Sequence, residues 1–298
     1  MLKPKSIAVV LLTSYPDWYP GKAKSIADTD KVRGDLALQA ITKGVVMGYR
    51  VVVGDWISSA GFLKRINKFC KITIFKRKCA DRGLGRHQAY LIASGFEGIR
   101  VILRTEPEKV SIIEEFIPKI ISPIAKGEAD IVVAKRSPPL FRSSYPKFMW
   151  KSETAGNKKY NNLLHKLGLL ESDQNLDAFF GPIAFCNDPS ILRLFLERYK
   201  FMFPLSIDAS RYGAPAELSN SYLFPIVKAL YQRIKVSSVE VDFRYPKSQK
   251  QNEESVDKDS VHKFISKRKG QHVGIIEDLI HFKKYLAGDP KNVLRRIE

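Results

Sequence analysis

The chain of 298 residues is 44% hydrophobic, 11% aromatic and 27% charged, which supplies a sizeable core and excludes intrinsic disorder. Its 50 lysines and arginines against 31 acidic residues leave a formal net charge of +19 and a pI near 9.7; the implied partner is anionic, whether nucleic acid, a membrane surface or a phosphorylated substrate. A mean hydropathy of -0.19 and the lack of any long apolar run exclude a polytopic membrane protein.

Ile7 to Leu12 reads as a buried first strand. Lys3 and Lys5 precede it as in a signal peptide, but the apolar run is too short for one, and Tyr15, Pro16 and Asp17 follow in place of small cleavage-site residues. Thr29 or Asp30 caps a helix carrying Val32, Leu36, Ala40, Ile41 and Val45, with Gly48 just beyond its end and Arg50 to Val53 as the second strand. Ser58 or Ser59 opens a helix through Ile66, Lys71 to Phe75 is a third strand, and Gly85 to Ser94 a helix ending near Gly95. Ile99 to Leu103 is the fourth strand, Val110 to Ala125 a helix bent near Pro118 and Pro123, and Asp130 to Ala134 a further strand.

The second half is less regular. Lys147 to Leu167 and Pro189 to Arg198 read as helices, Ala178 to Phe185 as an apolar run broken by Gly181 and Pro182, and Ala216 to Tyr231 as a helix interrupted by Pro225. Val236 to Phe243 alternates as a strand does, Pro246 to Asp259 is polar enough for a mobile loop, and His262 to Leu286 regains helical period. Strands alternating with helices indicate an α/β fold with a mostly parallel sheet. The expected organisation is one domain over residues 1–250, with 251–298 as a mobile loop and C-terminal helical extension.

Cys70, Cys79 and Cys186 form an odd set without a C-x-x-C pair, which indicates neither a disulfide framework nor a zinc site. A reducing, cytoplasmic setting fits, free or peripheral to a membrane. The five histidines are scattered with no H-E-x-x-H, although His262 or His272 could return to complete a metal site. The bases from Lys64 to Arg86 face only Asp81, and Lys76, Arg77 and Lys78 among them are candidates for contact with an anionic surface.

In open parallel sheets ligands sit at the carboxyl ends of the strands. Those ends carry Ser14 after the first strand, Asp55 after the second, RGLGRHQA after the third and RTEPEK after the fourth. Glu106 and Glu108, two apart after a buried strand, have the spacing for two carboxylates to reach one hard cation bridging nucleotide phosphates. Pro107 and Glu108 equally suit the opening of the next helix. Gly83 and Gly85 satisfy neither the G-x-G-x-x-G nor the Walker pattern.

In their order along the chain these segments resemble the nucleotide-diphospho-sugar transferases of the GT-A fold. The similarity is greatest to the family-2-like enzymes that include polyprenyl-phosphate mannose synthases. The resemblance covers about the first 135 residues and, more loosely, Asp177 to Pro246. It implies a GT-A, Rossmann-like sheet flanked by helices. Ser14, Asp55, Arg86 and Arg104 would contact the nucleotide-diphosphate sugar, and Glu106 with Glu108 would hold Mg2+ or Mn2+. Both glutamates replace aspartates of the family's D-x-D pair, Pro107 separates them, and His87 stands where asparagine is common. Arg104 or Lys109 could instead neutralise the diphosphate.

DAFFGPIAF from Asp177 and the segment from Arg211 resemble the acceptor side of the same superfamily, which makes Asp177, Asp208 and Glu217 the candidate bases, Glu217 foremost. The implied function is a glycosyltransferase acting on an unidentified acceptor, with an anionic membrane surface or acidic glycan as a further partner. Two alternatives are a sugar-phosphate nucleotidyltransferase, whose glycine-rich first loop is missing here, and a non-catalytic basic nucleic-acid-binding protein with Phe69, Phe75 and Tyr90 among its bases.

Overall fold

Successive apolar residues in the first strand have to face opposite ways, because side chains alternate along an extended chain. In β1 (Ile7–Thr13) Ala8 and Val10 enter one core and Ile7, Val9 and Leu11 the other. A computed structural model describes residues 2–201, 220–255, 258–290, 292 and 294–297, without the side chains of 258–265, 267–269, 271 and 272. From β1 the chain runs through α1 (Thr29–Val46), β2 (Arg50–Asp55), α2 (Ala60–Ile66), β3 (Ile72–Lys76), α3 (Arg82–Ser94) and β4 (Val101–Arg104). A π-helical turn at Ile112–Phe116 leads into α4 (Ile117–Ala125), followed by β5 (Ile131–Arg136), α5 (Pro138–Ser144) and α6 (Lys147–Lys166). Next come β6 (Ile183–Cys186), α7 (Pro189–Leu196), β7 (Arg198–Phe201), α8 (Phe224–Tyr231), β8 (Val236–Val241), α9 (Lys247–Glu254), α10 (Lys258–Leu286) and β9 (Leu294–Ile297).

Seven strands form the central sheet in the order β3-β2-β1-β4-β6-β5-β8. All pair in parallel except β6, which is antiparallel to both β4 and β5. The chain builds outward from β1 through β2 to β3, then returns to place β4 on the other side of β1. That reversal opens a crevice at the carboxyl ends of β1 and β4, the switch point where ligands settle in open α/β sheets.

The two faces carry two cores. Helices α1, α2 and α4 supply Ala37, Ile41, Phe62, Ile66 and Ile120 to one. Helices α3, α7, α8 and α10 supply Tyr90, Phe195, Phe224 and Phe282 to the other. In the second core Phe185 stacks on Phe195 at 4.0 Å between ring centroids, and Tyr90 meets both rings edge-on at 5.3 and 5.9 Å.

Several expected boundaries shift for local reasons. The apolar run from Ala178 becomes a strand only at Ile183, because Gly181 takes a φ of +111 and Pro182 follows it. The segment expected to be helical from Val110 to Ala125 is helical throughout, with a π-helical turn at Ile112–Phe116 just before Pro118, which stands in the first turn of α4. Lys247–Glu254, read as loop, is a helix. Its buried Asn252 donates to the Ile26 carbonyl at 2.7 Å and accepts from Thr29 Oγ1 at 3.3 Å, so polar residues anchor it where no apolar stripe exists. The C-terminal segment packs back on the domain, α10 against α6 and α8 and β9 antiparallel to β7. Among the described residues no helix is long and apolar enough to cross a membrane.

Phe185 is wholly buried on the antiparallel strand that joins the two halves of the sheet. Phe185→Ala is expected to lower stability by about 3–5 kcal/mol through the cavity it leaves. Urea unfolding should show this as a lower midpoint at an unchanged slope.

Candidate functional site

The ends of β1 and β2 are tied together by one carboxylate. Asp55, 4% exposed, accepts from Thr13 Oγ1 at 2.7 Å, from the Ser58 backbone at 3.1 Å and from the Ser58 hydroxyl, which itself accepts from the Tyr15 backbone at 2.9 Å. Asp55 therefore shapes the loop after β1, in which Ser14 is half-buried. The Asp55 bond to Ser58 is local, whereas the Thr13 bond needs β1 and β2 side by side, with Thr13 registered against Asp55.

Across β1 from this knot the side chains are cationic. Arg104, the last residue of β4, is buried, donates to the Gly181 carbonyl at 2.5 Å and to Glu106 Oε1 at 3.1 Å, and lies 4.6 Å from the Tyr222 ring centre. Lys109 donates to Glu106 Oε2 at 2.7 Å. Burial pushes the Glu106 carboxyl up, but Lys109 and then Arg104 outweigh it and hold it at about 2, so it stays ionised at any working pH. Gly181 makes this possible: a Cβ there would lie 2.3 Å from both Glu106 oxygens.

Arg86 enters the same region from the second turn of α3. It is buried, its Nη1 donates to Ser221 Oγ at 2.9 Å, and among the described residues no carboxylate pairs with it. Burial, reinforced by repulsion from Arg104, pushes its pKa down to about 9. A buried guanidinium without a carboxylate keeps hydrogen-bonding capacity that a neutral hydroxyl only partly meets. The α3 N-terminus is not the anion site, because Asp81 Oδ1 already accepts from Gly83 and Leu84 at 2.6 and 3.0 Å.

Glu106 and Glu108 do not share a face as residues two apart in a strand would. The chain turns after Arg104, with the Lys109 N–H bonded to the Glu106 carbonyl at 3.1 Å, and the turn splays the two carboxylates. Glu108 accepts from Tyr15 Oη at 3.1 Å and lies 3.7 Å from Arg33 Nε on α1. Both Glu106 oxygens face cations, and among the described residues no three His, Cys, Asp or Glu side chains group as metal ligands. In this arrangement the donor set does not fit a divalent cation.

Asp177 is committed elsewhere. Arg136, the last residue of β5, donates to it through Nε and Nη2, both at 2.7 Å, and through Nη1 to Glu153 at 2.6 Å. Asn157 also donates to Asp177, at 2.7 Å, and the guanidinium lies 3.6 Å from the Phe141 ring centre. With both oxygens occupied, Asp177 orients Arg136 and is poorly placed to take a proton. Asp208 and Glu217 lie outside the described residues, as do the side chains of His262 and His272.

The basic run divides by burial. Lys64, Lys68, Lys71, Lys76, Lys78 and Arg82 are exposed along α2 and around the edge strand β3, where charge also deters pairing with another sheet. Arg77 is 4% exposed beneath α3, and its Nε and Nη1 meet no hydrogen-bond partner. Gly85 admits it, since a Cβ there would lie 2.5 Å from Arg77 Cδ. Tyr90 is buried against Phe185 and Phe195, so it is unavailable for stacking on bases. Arg77, expected with Lys76 and Lys78 to meet an anionic surface, is instead buried, and Arg136 and Tyr222 were missed in the sequence reading. A search of strand ends for arginine as well as for acids would have found Arg136, the last residue of β5.

No protein-family model and no curated protein sequence matches the chain. Among solved structures, glucosyl-3-phosphoglycerate synthase from Mycobacterium tuberculosis in complex with uridine diphosphate superposes with a TM-score of 0.52 at 12% identity, over 96% of this chain and 82% of that one. The same synthase in complex with Mn2+, uridine diphosphate and phosphoglyceric acid gives a TM-score of 0.50 at 12% identity, over 96% and 80%. The likeness is one of fold: this chain's seven-stranded, mostly parallel sheet flanked by helices superposes on the α/β architecture of that synthase.

The Arg136 network sets a measurable pH dependence. Burial pushes the Asp177 carboxyl up, but Arg136 and Asn157 hold it below its ordinary 3.8. Its contribution is complete above that value and is lost as pH falls through the lower folded value. Asp177→Asn is expected to cost about 3 kcal/mol at neutral pH, because Arg136 keeps only one counter-charge. In urea titrations the variant should also lose stability less steeply than wild type as the pH falls below the ordinary carboxylate value of about 3.9.

Proposed function

We propose that a chain with the fold of the nucleotide-diphospho-sugar transferases is itself a glycosyltransferase using a nucleotide-diphosphate sugar. The bond from the anomeric carbon to the distal phosphate oxygen breaks, the electron pair leaves with the diphosphate, and the sugar passes to an acceptor hydroxyl or phosphate. The observation supporting this reading is the gathering of Arg86, Arg104 and Lys109 at the switch point of the sheet, the former two buried. Buried, preorganised cations stabilise charge that develops on a leaving group more than solvated ones do.

In this reading Ser14 and the loop braced by Asp55 line the nucleoside end. Arg136 and Tyr222 border the acceptor side, with Asp177 as a positioning residue. For a hydroxyl acceptor a carboxylate must take the proton, and Glu217 or Asp208 is the proposed position. The exposed bases around β3 would face an anionic membrane surface or acidic glycan, and the reading places the protein in the cytoplasm or against such a surface.

Uridine diphosphate and phosphoglyceric acid, bound by the structural neighbour, are the first probes, with UDP- and GDP-sugars as candidate donors. At ligand well above its Kd, a matching nucleotide sugar should raise Tm by about 5 °C. Transfer should be detectable as release of the nucleoside diphosphate. Arg86→Met should weaken donor binding by about tenfold to a hundredfold while Tm without ligand holds or rises, because a buried charge lacking a carboxylate is removed. A response to polynucleotide alone, falling steeply with salt, would replace this reading with nucleic-acid binding. A requirement for nucleoside triphosphate with release of pyrophosphate would replace it with sugar-nucleotide synthesis.

A further inference from the structure

We infer that Arg86, Arg104 and Lys109 neutralise the donor diphosphate directly, at the place where the family pattern puts a metal held by paired carboxylates, and that Glu106 is their resident counter-ion. The inference rests on the transferase reading.

Four observations carry it. Both Glu106 oxygens are engaged, one by Arg104 Nη2 at 3.1 Å and one by Lys109 Nζ at 2.7 Å, so a divalent cation at Glu106 would have to displace two cations or sit against them. The turn through Pro107 sends Glu108 to Tyr15 and Arg33, out of reach of a shared ion. The Glu106 pairing is built in, because Gly181 leaves room for the carboxylate and supplies the carbonyl that fixes the Arg104 guanidinium. Three cations against one carboxylate leave an excess that matches a diphosphate diester, which carries one negative charge on each phosphate.

The physical logic is exchange of one anion for another. Without ligand, Glu106 balances Arg104 and Lys109, while Arg86 has only the Ser221 hydroxyl. Glu106 is 34% exposed and Lys109 15%, so the pair lies at the mouth of the crevice, where a phosphate can reach it. Arg104, 5% exposed, stays in place beneath them. The diphosphate then takes the half-buried Lys109 donor and Arg86, which has no carboxylate of its own, and Glu106 becomes a mild repulsion that any ligand must overcome.

The test is calorimetric titration of chelator-stripped protein with UDP and with GDP, first in EDTA and then in Mn2+ or Mg2+. At least one nucleotide is expected to bind in EDTA with a Kd within about threefold of that in the metal. Lys109→Ala should weaken this binding by about tenfold or more, and Glu106→Gln should tighten it by about threefold. Binding that appears only with metal and is abolished by Glu106→Gln would overturn the inference while leaving the transferase reading intact. If wild-type protein bound neither nucleotide in either condition, both would fall. The comparison in wild-type protein needs no variant to fold.

Discussion

Four guanidinium groups at the carboxyl edge of the sheet are withdrawn from solvent, and the way each charge is balanced organises the site. Arg136 has two carboxylates and an aromatic enclosure. Arg104 shares one carboxylate with Lys109 and adds a carbonyl and the Tyr222 ring. Arg86 has a hydroxyl, and Arg77 keeps two buried nitrogens without a partner. Compensation therefore falls along the sheet edge from β5 toward β3. An unbalanced buried charge costs several kcal/mol, so packing elsewhere must bear that cost.

The rest of the fold divides these tasks. Stability resides in the two cores, where β1, β2 and β4 place alternate side chains on opposite faces. The strand ends carry little of that packing and are free to hold polar groups. Two glycines link the regions: Gly181 admits the Glu106 carboxylate and Gly85 admits the Arg77 stem, so a methyl group at either would push a charged side chain out of its place. The solvated lysines around β3 account for much of the net charge without entering the crevice, and they protect an edge that would otherwise be open to pairing.

Residues whose role depends on their neighbours along the chain were legible. The apolar runs predict β1, β2 and β4, Ser59 caps α2 by accepting from Phe62 at 3.2 Å, and Gly48 takes the positive φ expected just past α1. Arg86 and Arg104, named from the strand ends, are both buried and close enough to repel each other. Residues whose role depends on a distant partner were misjudged. The pairing of Glu106 with Glu108 assumed an extended chain, and the turn at Pro107 removes that premise. Asp177 was read as a base because nothing near it in sequence shows Arg136, forty-one residues earlier, bonded to both of its oxygens.

Composition, hydrophobic period and strand order thus determined by sequence alone that the chain is an α/β protein with a mostly parallel sheet, whose strand ends carry charged residues. Only the tertiary structure decided which charges are already balanced. Hydrophobic period acts over a few residues and survives in a linear reading, whereas the state of a buried charge is set by groups that the fold brings within about 3 Å from anywhere in the chain. That is why Glu106, Glu108 and Asp177 could be found by pattern, while the partners of each appeared only once β4, β5 and the turn at Gly181 stood side by side.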